Sequence, residues 1–71
     1  MGIIEADVEF ARHALEQMQE RGISTAEVLR TLQRGAKLKQ EDGLLAVHGG
    51  IGVAYRRTRA ERYKVKTVMW L

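Results

Sequence analysis

The chain of 71 residues has no cysteine and no proline. Without cysteine it has no disulfide, no thiolate metal site and no thiol nucleophile. Without proline it suits regular elements joined by glycine turns, and seven glycines are present. Long apolar runs are also missing. No segment approaches the roughly 18 consecutive apolar residues of a membrane-spanning helix. The opening MGIIEADVEF is acidic and its apolar run is too short for a secretory signal. Its Met-Gly start lacks the serine or threonine of a myristoylation signal, because Ala6 stands there. A soluble, cytoplasmic protein with no membrane attachment is expected.

Histidine is scarce too. His13 and His48 are the only two, and neither has a second ligand at metal-binding spacing. No metal and no cofactor is expected. Gly49-Gly50-Ile51-Gly52 lacks the Lys-Ser/Thr of a phosphate-binding loop and joins two expected strands, so it reads as a turn. No Gly-x-Ser-x-Gly nucleophile elbow occurs.

The length allows one domain, residues 1–71, with a thin core. A homodimer or a bound partner would supply stability that so small a core lacks. The net charge of +3 hides a division. Residues 1–29 carry two basic and six acidic side chains, whereas residues 30–71 carry ten basic and three acidic ones. The second half is therefore suited to meet phosphates, although an uneven charge can also serve solubility alone.

Residues 1–8 read as extended, with Asp7 placed to cap a first helix over residues 8–21. Phe10, Ala11, Ala14, Leu15 and Met18 fall on one stripe at about 100° per residue. Gly22 supplies a left-handed C-cap. Ser24-Thr25-Ala26-Glu27 is a capping box that starts a second helix over residues 25–34, closed by Gly35. From Ala36 the period becomes two. Strands are expected over residues 36–40, 44–48, 51–57 and 62–70, with turns at Asp42-Gly43 and Gly49-Gly50. The expected fold is α+β, with two N-terminal helices on one face of a four-stranded antiparallel meander.

Strict alternation of the last strand puts Lys64, Lys66, Val68 and Trp70 on one face. Arg56 of the preceding strand would join them. Arg56, Lys64, Lys66 and Trp70 then form a cationic surface with an aromatic, suited to a phosphate backbone and a stacked base. A solvated sheet face would alternate in the same way.

His13 falls off the apolar stripe, beside Glu9, Glu16, Gln17 and Glu20. Carboxylates at those positions would favour the charged ring, which would suit a general acid or base. The alternative is a solvated surface histidine. With the arginines and with Tyr55 and Tyr63, His13 completes an inventory suited to metal-independent cleavage of RNA. One group takes the 2′-hydroxyl proton, a cation stabilises the phosphorane, and another group protonates the leaving oxygen.

The pattern Phe10-x-x-His13-Ala14-x-x-x-Met18-x-x-Arg21-Gly22-Ile23-Ser24 resembles the opening of a small, uncharacterised bacterial and archaeal domain family. The Glu41-Asp42-Gly43 hairpin, the central GVAYRR and the terminal TVMWL resemble it too. That family is similar in fold to the BrnT and RelE toxins of type II toxin–antitoxin systems. The resemblance implies an endoribonuclease-like scaffold acting on RNA, with a small antitoxin protein as partner. It implies His13 as an active-site residue, with Arg56 and Arg57 as basic groups on a strand; Tyr55, from the residue inventory, completes the expected catalytic set. The chain has no extension after Trp70 and Leu71 to match a toxin's tail, which leaves a non-catalytic module for nucleic acid or protein as the alternative.

Overall fold

The computed structural model describes residues 3–71. After a 3-10 turn at Glu5–Asp7, the elements are β1 (Val8–Phe10), α1 (Arg12–Arg21), α2 (Thr25–Arg34), β2 (Ala36–Gln40), β3 (Gly43–His48), β4 (Ile51–Arg57) and β5 (Tyr63–Trp70). The strands form one sheet in the order β1-β5-β4-β3-β2. Both helices lie on one side, where Ala14, Met18, Val28 and Leu32 share a buried cluster with Val53 and Val65. No helix among the described residues is long and apolar enough to cross a membrane.

The expected four-stranded antiparallel meander is therefore incorrect. The sheet has five strands and is mixed, because β1 pairs with β5 in parallel, from Val8↔Tyr63 to Phe10↔Val65. The three residues of β1 are too few to show a period, and a parallel partner needs no hairpin signal. They pair with one edge of β5 and bury Val8. Their pairing also moves the start of α1. Its N-cap is Ala11, with no side-chain cap bond. Asp7 instead accepts from the Ile4 N–H at 3.2 Å within the 3-10 turn. Of the stretch expected to be extended, Met1 and Gly2 lie outside the described residues.

The helix stops follow the sequence. Gly22 is left-handed, φ 67° and ψ 30°. The Ser24 hydroxyl accepts from Glu27 N at 3.2 Å, and Glu27 Oε1 accepts from Ser24 N at 2.9 Å. These bonds to Ser24 hold the Glu27 carboxyl below its ordinary pKa.

β1 ends at Phe10, but β5 continues to Trp70, so among the described residues part of its edge has no strand beside it. Side chains of α1 supply the bonds. The Val68 N–H donates to Gln17 Oε1 at 2.9 Å, and Arg21 Nη1 donates to the Val68 carbonyl at 2.7 Å. This explains why Gln17 is buried while Leu15, expected on the inward stripe, is 50% exposed. Gln17→Ala would leave a buried N–H unpaired. A loss of about 1–3 kcal/mol is expected in chemical denaturation, and a loss near zero would show that water replaces the amide.

β5 carries a bulge. Ala54 pairs with Thr67 but Tyr55 pairs with Val65, so Lys66 is the extra residue. Val65 and Val68, three apart, are consequently both fully buried. Strict alternation through the strand is broken, and residues after the bulge change face.

The side of the sheet without helices is also not the polar surface expected. Its middle rows are Leu38–Leu45–Ala54–Thr67 and Ala36–Val47–Gly52–Met69. The Leu71 side chain folds onto this side, where it lies 3.1 Å from the place a Gly52 Cβ would occupy.

Candidate active site and nucleic-acid interface

The cations gather where β4 turns into β5. Arg56 and Arg57 end β4, Thr58 to Arg62 make the turn, and Tyr63 opens β5. The turn is closed by Thr58 N–H to the Arg62 carbonyl at 2.8 Å and by Arg62 N–H to Thr58 Oγ1 at 3.1 Å. Glu61 takes φ 60° within it. Arg56, Arg57, Thr58 and Arg59 line an open concavity of about 310 Å³. Among the described residues no carboxylate lies within 4 Å of Arg56, Arg57 or Arg59, and the ion pair present joins Arg62 to Glu9 at 3.7 Å.

Adjacent residues of a strand point to opposite faces, so Arg56 and Arg57 straddle the sheet. Arg57 lies on the helix side. Its guanidinium carbon sits 4.3 Å above the Tyr63 ring, and its Nη2 donates to the Glu61 carbonyl at 2.8 Å. Stacking and this bond hold the planar fork in place. Tyr63 in turn leans on Tyr55, with ring centroids 5.6 Å apart. Tyr55 is only 3% exposed. Its burial pushes the phenol above the ordinary value, Tyr63 adds to the rise, and Arg57 opposes it. Tyr55 therefore stays protonated at neutral pH and serves as a support under Tyr63.

Arg56 lies on the other side, directly across from Lys64. Lys66, in the bulge, turns to the Asp42 carbonyl, to which its ammonium donates at 3.2 Å. Trp70 does not join them. It pairs with Ile51 on the helix side, at the far end of β4, and its Nε1 donates to the Arg21 carbonyl at 2.9 Å. The bulge that shifts Val68 inward carries Trp70 with it. The expected surface of three cations and an aromatic thus divides: Arg56 and Lys64 face each other, Lys66 is tethered near the β2–β3 turn, and Trp70 is on the opposite face.

His13 is exposed on the first turn of α1. Among the described residues it has no hydrogen bond and no ion pair with a carboxylate. Glu9, expected one turn before it on the helix, is on β1 and pairs with Arg62 instead. α1 begins just after the Ala11 N–H bonds the Val65 carbonyl. Arg57 pairs with Tyr63, two residues earlier on β5. These two levels of the strand are about 7 Å apart. His13 and Arg57 therefore belong to the same end and the same side of the sheet, with no direct bond between them among the described residues.

Sequence reasoning passes over Arg59, because a turn residue belongs to no periodic face. The available signal is local density: Arg56, Arg57, Arg59 and Arg62 fall within seven positions. Among the described residues no group of three His, Asp or Glu side chains is placed to hold a metal ion.

No curated protein and no solved structure shows a significant match to the chain. A family model does, described as a domain of unknown function, DUF4258, and it matches residues 10–70. The match begins at Phe10 and takes in the His13 helix, the arginine turn and β5. The protein belongs to this DUF4258 family of small domains.

Proposed function

We propose that this domain is a metal-independent endoribonuclease that binds RNA phosphates at the β4–β5 end of the sheet. The carrying observation is the set of Arg56, Arg57 and Arg59 around one concavity, unpaired with carboxylates among the described residues. Guanidinium forks match phosphate oxygens and would stabilise the added charge of a phosphorane. Arg57 is held on the Tyr63 ring and needs little reorganisation. His13, on the same side and exposed, is the candidate general acid or base. Lys64 opposite Arg56 extends the positive track along the neighbouring strand.

The HA…M…RGIS pattern resembles a small domain family, and the likeness of that family's fold to the BrnT and RelE toxins favours RNA as the substrate. In that reading the substrate is cytoplasmic RNA and a small antitoxin protein is the partner. A non-catalytic RNA-binding module is the second reading. It is favoured by His13 having, among the described residues, no group to orient its ring, since acid–base histidines usually have one.

Both readings require the arginine turn. Arg56→Ala with Arg57→Ala should weaken binding to single-stranded RNA of any sequence. The slope of log K against log salt should fall by about 1.4, from two lost contacts at about 0.7 each. Fluorescence anisotropy across a salt series measures it, and an unchanged slope would remove the turn from the RNA site.

A further inference from the structure

A second cationic groove lies at the other end of β4, about 20 Å along the strand from the arginine turn. It is built from α2 and the end of β3. Arg30 and Arg34 are one turn apart on α2, about 6 Å along its axis. They line an open groove of about 550 Å³ with Ala26, Leu29, Gln33 and His48. A smaller hollow of about 140 Å³ adjoins it, shares Arg30 and His48, and reaches Gly49 and Ile51.

The backbone fixes this arrangement. A Cβ on Gly35 would lie 2.5 Å from the Thr31 carbonyl oxygen and 2.8 Å from that of Val47. The end of α2 therefore rests directly on the backbone of β3, beside His48. Among the described residues neither Arg30 nor Arg34 has a carboxylate within 4 Å. Glu27 also lines the smaller hollow, and its Oε1 accepts from the Ser24 N–H and hydroxyl at the start of α2.

We propose that this groove binds a nucleotide through its phosphate. Two guanidinium forks supply positive charge, and together with the imidazole they offer several N–H donors, which select an anion with more than one oxygen. The other wall differs in character. Ala26 and the half-buried Leu29 present an apolar strip beside the donors, and Gln33 offers an amide that can both donate and accept. A flat base fits against that strip while its phosphate meets Arg30, Arg34 and His48. The groove's volume is within the usual range of small-molecule sites, about 300–1,000 Å³. The nucleotide is either free or the terminal residue of an RNA strand, since both present the same phosphate ester and base.

Titration of the ¹⁵N-labelled protein, followed by amide chemical shifts, tests the proposal. The probes are adenosine 5′-monophosphate, inorganic phosphate and a 5′-phosphorylated tetraribonucleotide. The nucleotide should give saturable shifts over residues 26–34 and 47–51, with residues 56–62 unmoved. Inorganic phosphate should bind more weakly. Arg30→Gln with Arg34→Gln should weaken nucleotide binding at least about tenfold, with the melting temperature kept. If that pair of changes unfolds the chain, Arg34→Gln alone and His48→Gln alone give the same reading. Tighter binding of the tetranucleotide would identify an RNA end as the ligand, and tighter binding of the monophosphate would identify a free nucleotide. Either result supports the site. Phosphate binding as tightly as the nucleotide, shifts confined to residues 56–62, or no loss in the variants would overturn it. Because the arginine turn is untouched in these variants, RNA binding there can survive the loss of the groove.

Discussion

Gly35→Ala is expected to cost about 3 kcal/mol of folding stability, at the upper end of overpacking penalties. The methyl group would arrive 2.5 Å and 2.8 Å from two carbonyl oxygens, and 3.0 Å from the Val47 nitrogen. All three atoms belong to backbone that cannot swing aside as a side chain does. The glycine itself is in ordinary extended backbone, φ −71° and ψ 155°, so the penalty is steric. Gly22 makes the contrasting case. It is left-handed at φ 67°, and a Cβ there would meet nothing within 4 Å. Gly22→Ala should therefore cost about 1 kcal/mol, from backbone strain alone. A domain of this size has roughly 4–10 kcal/mol in all, so the first change approaches unfolding and the second does not. Urea denaturation of both variants measures the difference. Equal stabilities would mean that α2 does not rest on β3 at Gly35.

These two glycines also mark what can be read in the chain and what cannot. Gly22 and the Ser24–Glu27 box act on their immediate neighbours, so α2 begins where the sequence places it. The Gly49-Gly50 turn is similarly local, with positive φ at 57° and 82°, whereas the first hairpin turns on Glu41-Asp42, because Gly43 already pairs with Gln40. Gly35 only ends a helix when read along the sequence, and its close approach to Val47 exists only once the sheet is formed. β1 is hidden for the same reason, since three residues have no period and their partner lies more than fifty positions away. The bulge at Lys66 is an insertion relative to another strand. Nothing in YKVKTVMW distinguishes it from plain alternation, which is why Trp70 is found on the helix side. The candidate site was legible as a composition, because the arginines are dense after Tyr55. Its division across the two faces was not.

His13→Ala should leave the melting temperature unchanged and reduce RNA cleavage by about 10²–10⁴-fold. The side chain is exposed and free of bonds among the described residues, so its loss should cost within about 0.5 kcal/mol of stability. The effect on cleavage would then belong to chemistry alone. Tyr55→Phe provides the comparison. Tyr55 is buried beneath Tyr63, with its phenol held in the protonated form, so removing the hydroxyl should lower cleavage far less than removing the imidazole. A His13→Ala protein that cleaves at the wild-type rate would remove His13 from the chemistry and favour binding without catalysis.

The proposed cleavage of RNA proceeds by internal attack of the 2′-oxygen. In that step the 2′-oxygen bonds to phosphorus and its proton passes to a base. The bond from phosphorus to the 5′-oxygen breaks, and that oxygen takes a proton from an acid. Analysis of the ends of RNA fragments produced by the purified protein in excess chelator tests this most directly. The expected products are 2′,3′-cyclic phosphate and 5′-hydroxyl ends, formed by the wild type and greatly reduced with His13→Ala. Intact RNA bound by the wild type, or fragments ending in 5′-phosphate, would contradict it.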